Sequence, residues 1–138
     1  MPTPCLRTPF LVVNPKAYLV GRQVLELALL ADELAARFEV EVLFTAQHVD
    51  LWKVASATSH LVVTAQHLDP IRPGRGMGQV LPEGLVEAGA RAVFLNHAEH
   101  PLTLAQLDQS LRRAEEVGLI TVVCADSERQ CRAVAELG

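Results

Sequence analysis

Val12-Val13-Asn14-Pro15-Lys16-Ala17-Tyr18 places an asparagine and a lysine directly after a short run of apolar residues. Four more apolar runs of similar length recur along the chain, with little alternation between polar and apolar positions. Such runs are typical of strands that are covered on both faces, which predicts a parallel sheet packed under helices. The five predicted strands are residues 10–13, 40–44, 61–63, 92–95 and 119–123.

Segments with helical spacing lie between these runs. Residues 21–38 have the spacing of an amphipathic helix, with the apolar residues Val24, Leu27, Ala28, Ala31, Ala35 and Phe38 at helical intervals. Thr103, with Gln106 three residues later, has the pattern of a capping box, and Ser127 is a candidate N-cap. The order strand–helix, repeated five times, predicts right-handed crossovers and a parallel sheet. The other predicted helices span residues 50–57, 82–89, 103–118 and 127–137.

Composition restricts the class of protein. The chain has 138 residues, half of them hydrophobic and 20% charged, with a formal charge of −4, which predicts one globular domain over residues 1–138. No segment concentrates lysine and arginine, so we expect no nucleic-acid binding. No apolar run reaches the ~18 residues that cross a bilayer. The first residues lack the charged segment followed by an apolar segment that a signal peptide has. We interpret Cys5, Cys124 and Cys131 as reduced thiols of a cytoplasmic protein.

Polar side chains are concentrated just after the predicted strands. The carboxyl ends of parallel strands share one edge of the sheet, where α/β proteins bind ligands, so we expect a functional site there. Two architectures fit this pattern, an open doubly wound sheet and part of an eight-stranded barrel. A complete barrel is excluded because it takes ~250 residues. The polar residues are Asn14, Lys16, Gln47, His48, Gln66, His67, Asp69, Asn96, His97, Glu99, His100 and Asp126.

Five motifs near these strand ends resemble the triosephosphate isomerases, and in particular their archaeal-type branch. Asn14-Pro15-Lys16 is similar to the first-strand signature of that family, and Leu95-Asn96-His97-Ala98-Glu99 to its fourth-strand motif with a histidine. Each motif alone is weak, but the five occur in the family's order and are specific together. The other three are Ala65-Gln66-His67-Leu68-Asp69-Pro70, Gly78-Gln79-Val80-Leu81-Pro82-Glu83 and Val122-Val123-Cys124.

The resemblance implies an α/β fold, an incomplete (β/α)8 TIM barrel. It would contain five parallel βα units, with strands six to eight absent and residues 1–9 as an N-terminal extension. The implied enzyme belongs to glycolysis and gluconeogenesis and interconverts dihydroxyacetone phosphate and glyceraldehyde 3-phosphate through an enediolate, without a metal or an organic cofactor. The resemblance also implies a homo-oligomer that associates through the loop 66–79, with no membrane or nucleic-acid partner.

Four residues receive roles from this resemblance. Lys16 would neutralise substrate charge and stabilise the enediolate oxygen, while Asn14 would hold Lys16 and line the same pocket. His97 would polarise the carbonyl as a neutral imidazole. Glu99 would interact with these site residues without contacting the substrate itself. Removing a proton next to a carbonyl builds negative charge on oxygen, and preorganised donors lower that barrier. We expect the ammonium and the imidazole to come from two adjacent strand ends.

The sequence also departs from the family pattern. The family's general-base glutamate ends a sixth strand, which these residues do not include, so we expect this chain alone to be inactive. Met77 stands where a threonine is common at the tip of the third loop, and Ala98 where serine is usual. The first and fifth strands are then expected to be exposed edges. The alternative interpretation is a non-catalytic half-barrel module that binds or assembles.

Several further residues are interpreted as structural. We expect His67 and Asp69 to fix the long third loop rather than to do chemistry, and Cys124 to be a packed strand residue. His48 and His60 are expected to be structural or exposed. A metal site is not expected, because no histidine pair has the i, i+4 spacing of local ligands.

Overall fold

The computed structural model describes residues 5–137 of the chain. Its element order confirms a strand followed by a helix, repeated five times, and the second and third strands end two residues later than expected. The strands are Phe10–Val13 (β1), Glu41–Ala46 (β2), Leu61–Ala65 (β3), Ala92–Leu95 (β4) and Ile120–Val123 (β5). The helices are Arg22–Phe38 (α1), Leu51–Ala57 (α2), Pro82–Glu87 (α3), Leu104–Val117 (α4) and Glu128–Ala135 (α5), and a short 3-10 turn, His48–Asp50, precedes α2.

The strands follow one another across the sheet in chain order. All pairs are parallel, and the order is β1-β2-β3-β4-β5. A doubly wound sheet reverses its direction of winding at a switch point, and this sheet does not. Because crossovers between parallel strands are right-handed, an order without reversal places every helix on the same face of the sheet. The topology is therefore that of consecutive units of a barrel.

The two faces of the sheet have different cores. The larger core combines outward strand residues such as Phe44 and Val93 with residues from all five helices, Val24 and Leu107 among them. A smaller core on the inward face contains Leu43, Val62 and Ala92, and none of the helical residues within 5–137 belongs to it. The helices therefore cover the outer face, as a barrel requires.

The predicted N-terminal extension contributes to the inner face. Residues 1–4 of that extension lie outside the described part of the chain, but Leu6 packs against the smaller core. Arg7 holds the start of β2, since its backbone N–H donates to the Glu41 carboxylate and its guanidinium pairs with the same group at 3.6 Å.

The expectation that all strands are covered on both faces is wrong for β1. Phe10, Leu11 and Val12 are 39%, 57% and 44% exposed, whereas β2, β3 and β4 are almost entirely buried. Within residues 5–137, β1 has a neighbour only on the β2 side, and β5 only on the β4 side. The prediction that the first and fifth strands are edges is confirmed.

The helix ends follow the predicted caps. Thr103 and Gln106 form the reciprocal hydrogen bonds of a capping box at α4, and the Ser127 hydroxyl accepts from the Gln130 N–H at α5. Pro82 opens α3, as its fixed φ favours. No helix of the described part of the chain is long and apolar enough to span a membrane.

The long loop between β3 and α3 is fixed at its base and along its side. The Asp69 carboxylate accepts the Val80 N–H at 2.6 Å, and the Asp69 N–H donates to the Val80 carbonyl at 2.9 Å. From α4, the buried Arg113 guanidinium donates to the Ile71 carbonyl at 3.0 Å. The prediction that Asp69 fixes this loop is confirmed.

Arg113 also organises two carboxylates around itself. It donates to Glu83 of α3 at 2.6 Å and to Glu116, which in turn accepts from Arg72 of the loop at 2.8 Å. The hydrogen bond from Arg113 lowers the pKa of Glu116 below the ordinary value of a glutamate, and Arg72 adds to the shift. A carboxylate with a lowered pKa in the folded state binds protons more readily when unfolded, so its contribution to stability rises with pH.

We therefore expect Glu116→Gln to flatten the loss of stability in acid. The contribution of Glu116 is present above about pH 5 and is lost as the pH falls through its lowered pKa. The difference in the free energy of unfolding between wild type and variant, measured by urea denaturation, should be largest at pH 7 and shrink towards pH 3. Glu115→Gln alters the adjacent exposed residue and should follow the wild type at every pH.

Asp32 of α1 stabilises the turn that enters β3. Its Oδ1 accepts the backbone N–H groups of Ser59, His60 and Leu61 at 3.0, 2.7 and 3.2 Å. Three donors on one carboxylate oxygen join α1 to the strand that forms the centre of the sheet.

Asp32→Ala should lower the free energy of unfolding by about 2 kcal/mol, because charge-assisted hydrogen bonds are lost while the exposed N–H groups can bind water. Urea unfolding at pH 7 measures the change. Glu33→Ala, one residue along the same helix and exposed, is the matched control and should change stability by less than about 0.5 kcal/mol. Equal effects of the two substitutions would contradict the role of Asp32.

Candidate active site

A cleft of about 420 Å³ lies at the carboxyl ends of the strands. Most of its residues come from the turns after β1, β2, β3 and β4, and two inward residues of β2 and β4 complete it. The prediction that polar residues meet at this edge is confirmed for those four turns, but four of the twelve predicted polar residues, Gln47, Asp69, Asn96 and Asp126, do not line the cleft. The lining residues are Asn14, Lys16, Ala17, Tyr18, Thr45, His48, Gln66, His67, Phe94, His97, Glu99 and His100.

Lys16 lies in a turn whose backbone is held from two sides. Its φ of 52° lies in the left-handed region, which a lysine rarely adopts. The Asn14 Oδ1 accepts the Lys16 N–H at 3.0 Å, and the Gln66 Nε2 donates to the Lys16 carbonyl at 2.9 Å. Asn14 therefore holds Lys16, as expected, and a residue after β3 holds it as well.

His97 directly follows Asn96 at the end of β4, and a backbone donor sets its tautomer. The Glu99 N–H lies 3.1 Å from the His97 Nδ1. A backbone N–H can only donate, so Nδ1 accepts and the proton of the neutral ring is on Nε2. The Glu99 carboxylate lies 3.5 Å from Nδ1, beyond ordinary hydrogen-bond length, so it does not compete for that nitrogen.

Lys16 and His97 converge on a single carboxylate oxygen. The Lys16 Nζ and the His97 Nδ1 each lie 3.5 Å from the Glu99 Oε2. The expectation that the two groups come from adjacent strand ends is wrong, because β2 and β3 separate β1 from β4. In a flat sheet, strands three places apart are about 14 Å apart. Curvature of the sheet therefore brings their side chains within reach of each other.

Asn96 holds the turn that carries His97. It has a φ of 57°, which asparagine tolerates better than most residues. Its Nδ2 donates to the Cys124 carbonyl after β5, and its Oδ1 accepts the Leu102 N–H, both at 2.9 Å. The fourth turn is thereby fixed both to the neighbouring strand and to the segment that enters α4.

A histidine cluster forms another side of the cleft. His67 is buried, and burial lowers its pKa below the ordinary value of an imidazole, although the hydrogen bond to Asp69 at 3.1 Å opposes this. The His100 ring stacks on it with centroids 3.8 Å apart, and the His48 Nε2 lies 3.0 Å from the His67 carbonyl. These contacts agree with the structural roles expected for His67 and His48. Among residues 5–137, no three His, Cys, Asp or Glu side chains are grouped as a metal site needs.

Three residues of this region received no role from the sequence. Gln66 and Asn96 belong to strand-end motifs that give neither residue a function, and Thr45 lies outside the motifs and the predicted strands. Thr45 is fully buried, and its hydroxyl has no hydrogen-bond partner among the described residues. Gln66 has a local signal, since it is two residues beyond the inward Thr64 and so has the same phase along the strand.

Comparison with known proteins identifies relatives that are named triosephosphate isomerase. The family profile described as triosephosphate isomerase matches residues 9–137. The triosephosphate isomerase of Methanopyrus kandleri is 40% identical over 135 residues, which are 96% of this chain and 60% of that protein. That of Methanosarcina barkeri is 37% identical over 132 residues, 94% of this chain and 59% of that protein. The chain spans about three fifths of the length of these curated relatives.

A solved structure agrees with the topology. The crystal structure of triosephosphate isomerase from Bartonella henselae superposes with a TM-score of 0.75 at 22% identity, over 94% of this chain and 57% of that one. At this identity the likeness shows the fold, an incomplete (β/α)8 barrel of five parallel βα units. The profile match covers nearly every described residue, and so the chain belongs to the triosephosphate isomerase family.

Proposed function

We propose that the protein is a triosephosphate isomerase, which interconverts dihydroxyacetone phosphate and glyceraldehyde 3-phosphate through an enediolate. The observation that carries this proposal is that the Lys16 ammonium and the His97 imidazole line one cleft, each 3.5 Å from the same Glu99 carboxylate oxygen. Curated relatives with this name support the same reaction.

Lys16 and His97 act on the oxygen where negative charge develops. The Lys16 ammonium offsets the charge of the phosphorylated substrate and stabilises the enediolate oxygen. The His97 Nε2–H is the donor available to the substrate carbonyl, because Nδ1 is already occupied by the Glu99 N–H. Donors that are oriented before the reaction lower the barrier to charge formation, and losing one commonly costs roughly 3 kcal/mol.

Asn14 and Glu99 act on these two residues and line the same pocket. Asn14 holds the Lys16 turn, and the Glu99 carboxylate lies 3.5 Å from the Lys16 ammonium. In the family pattern the base that removes the carbon-bound proton ends a sixth strand. We therefore assign substrate binding and carbonyl polarisation to this chain, and proton abstraction to the remainder of the barrel.

The exposed tip of the loop 66–79 is the proposed surface for association into a homo-oligomer. Met77 at this tip is fully exposed, and the loop itself is held by Asp69 and Arg113. A second candidate function, a non-catalytic half-barrel module, is favoured by one observation, the exposed backbone edge of β1.

Lys16→Ala should weaken the binding of dihydroxyacetone phosphate to the chain by roughly tenfold to a hundredfold, because hydrogen bonds to charged groups contribute about 1.5–3 kcal/mol. Isothermal titration calorimetry measures the affinity. Lys53→Ala is the matched control, since Lys53 is the other lysine of the chain and lies on α2 outside the cleft lining.

Turnover provides the second measurement for the same pair of variants. In a fusion of this chain to the remaining βα units of the Methanopyrus kandleri relative, Lys16→Ala should lower the isomerisation rate by at least about a hundredfold. An unchanged affinity and rate in Lys16→Ala would exclude the proposed role. Self-association of a chain that binds no dihydroxyacetone phosphate would favour the assembly module instead.

His97 should show a single neutral tautomer. Long-range ¹H–¹⁵N correlation spectra at pH 8 are expected to show a protonated Nε2 and an unprotonated Nδ1, since the Glu99 N–H occupies the latter. His60 is the internal control, because it is exposed and its ring makes no hydrogen bond within the described residues, so both tautomers should be populated. A His97 proton on Nδ1 would contradict the proposed orientation of the donor.

A further inference from the structure

Both backbone polar groups of Lys16 are bound by side chains. The N–H is bound by Asn14, two residues earlier in the same turn, at 3.0 Å. The carbonyl is bound by the Gln66 amide, fifty positions later, at 2.9 Å. The first bond shapes the turn locally, and only the second joins Lys16 to another part of the sheet.

Gln66 spans the sheet from β3 to the turn after β1. β2 separates these two strands, so the glutamine side chain crosses above the end of β2 to reach the Lys16 carbonyl. Gln66 follows β3, the direct neighbour of the strand that carries His97. The bond therefore relates the position of Lys16 to that of the imidazole with which it shares Glu99.

Two other residues hold the same turn at points further from Lys16. The Gln47 Nε2 lies 3.5 Å from the Leu19 carbonyl, and the Asp50 carboxylate accepts the Gly21 N–H at 3.0 Å. Both support the end of the turn that enters α1. Neither one contacts Lys16, so the loss of Gln66 leaves the turn attached but frees the peptide group next to the ammonium side chain.

We propose that Gln66 is a positioning residue that acts through Lys16. It holds the Lys16 peptide in its left-handed conformation, so that the ammonium stays in the cleft that His97 also lines. The inference rests on the proposed function, because positioning matters only if the Lys16 ammonium binds the substrate.

Gln66→Met tests this inference, because methionine keeps the length of the side chain and removes the donor. The affinity of the full chain for dihydroxyacetone phosphate, measured by calorimetry, should fall about fivefold, as expected for the loss of one amide–carbonyl hydrogen bond. Gln47→Met is the matched control. It removes a similar amide donor, whose acceptor is the carbonyl of Leu19 in the same turn, three residues after Lys16. Its affinity should stay within about twofold of the wild type.

A double-mutant cycle separates positioning from a direct or purely structural role. In the Lys16→Ala background, Gln66→Met should have no further effect on affinity, because its effect passes through the missing ammonium. A fivefold loss that persists in that background would overturn the inference and assign Gln66 a direct contact with the ligand. Gln66→Asn has an amide on a side chain too short to reach the Lys16 carbonyl, so its affinity should match that of Gln66→Met. It replaces Gln66→Met in the test if the methionine variant does not fold.

The outcomes distinguish this inference from the proposed function. If Lys16→Ala leaves binding unchanged, the proposed function fails. If Lys16→Ala weakens binding while Gln66→Met and Gln66→Asn do not, only the positioning role of Gln66 is overturned.

Discussion

A single topological constraint determines where the polar turns of this chain lie. Parallel strands that follow one another in order, each joined by a right-handed crossover, place all their helices on one face and all their carboxyl ends on one edge. The outer core that includes all five helices, and the inner core that includes none, follow from this arrangement. The cleft is the space that the curved sheet leaves at that edge.

Curvature of the sheet assembles the cleft, because its lysine and its His97 imidazole come from strands that are not neighbours. Lys16 follows β1 and His97 follows β4, and they meet only because the turns face each other across the cleft. The intervening strands supply the supports, with Gln66 at the Lys16 carbonyl and Asp50 at Gly21. Side chains held on rigid strands keep the geometry that preorganised donors need.

Local patterns in the sequence were sufficient for the elements but not for their long-range contacts. Apolar runs located the five strands, and cap residues such as Thr103 located the helix starts. Lys16 and His97 could be found because each follows a strand within a recognisable motif. Gln66 and Arg113 could not be assigned a function, since their partners are fifty and about forty residues away and no local periodicity encodes such a contact. The apolar run of β1 alone predicts a strand covered on both faces, and only the comparison with the family pattern, in which further strands follow the fifth, predicts that β1 is an exposed edge.

Glu99 links the two ends of the site through different atoms. Its backbone N–H sets the His97 tautomer, which requires only that the turn keep its shape. Its carboxylate lies 3.5 Å from the Lys16 ammonium, and both side chains are substantially exposed at 42% and 66%. An ion pair between exposed groups contributes little, typically about 0–1 kcal/mol. In the proposed function, a substrate oxygen replaces the carboxylate beside Lys16 at low cost, while the backbone of Glu99 continues to orient the imidazole. Glu99 thus pairs with the ammonium through its side chain and fixes the imidazole tautomer through its backbone.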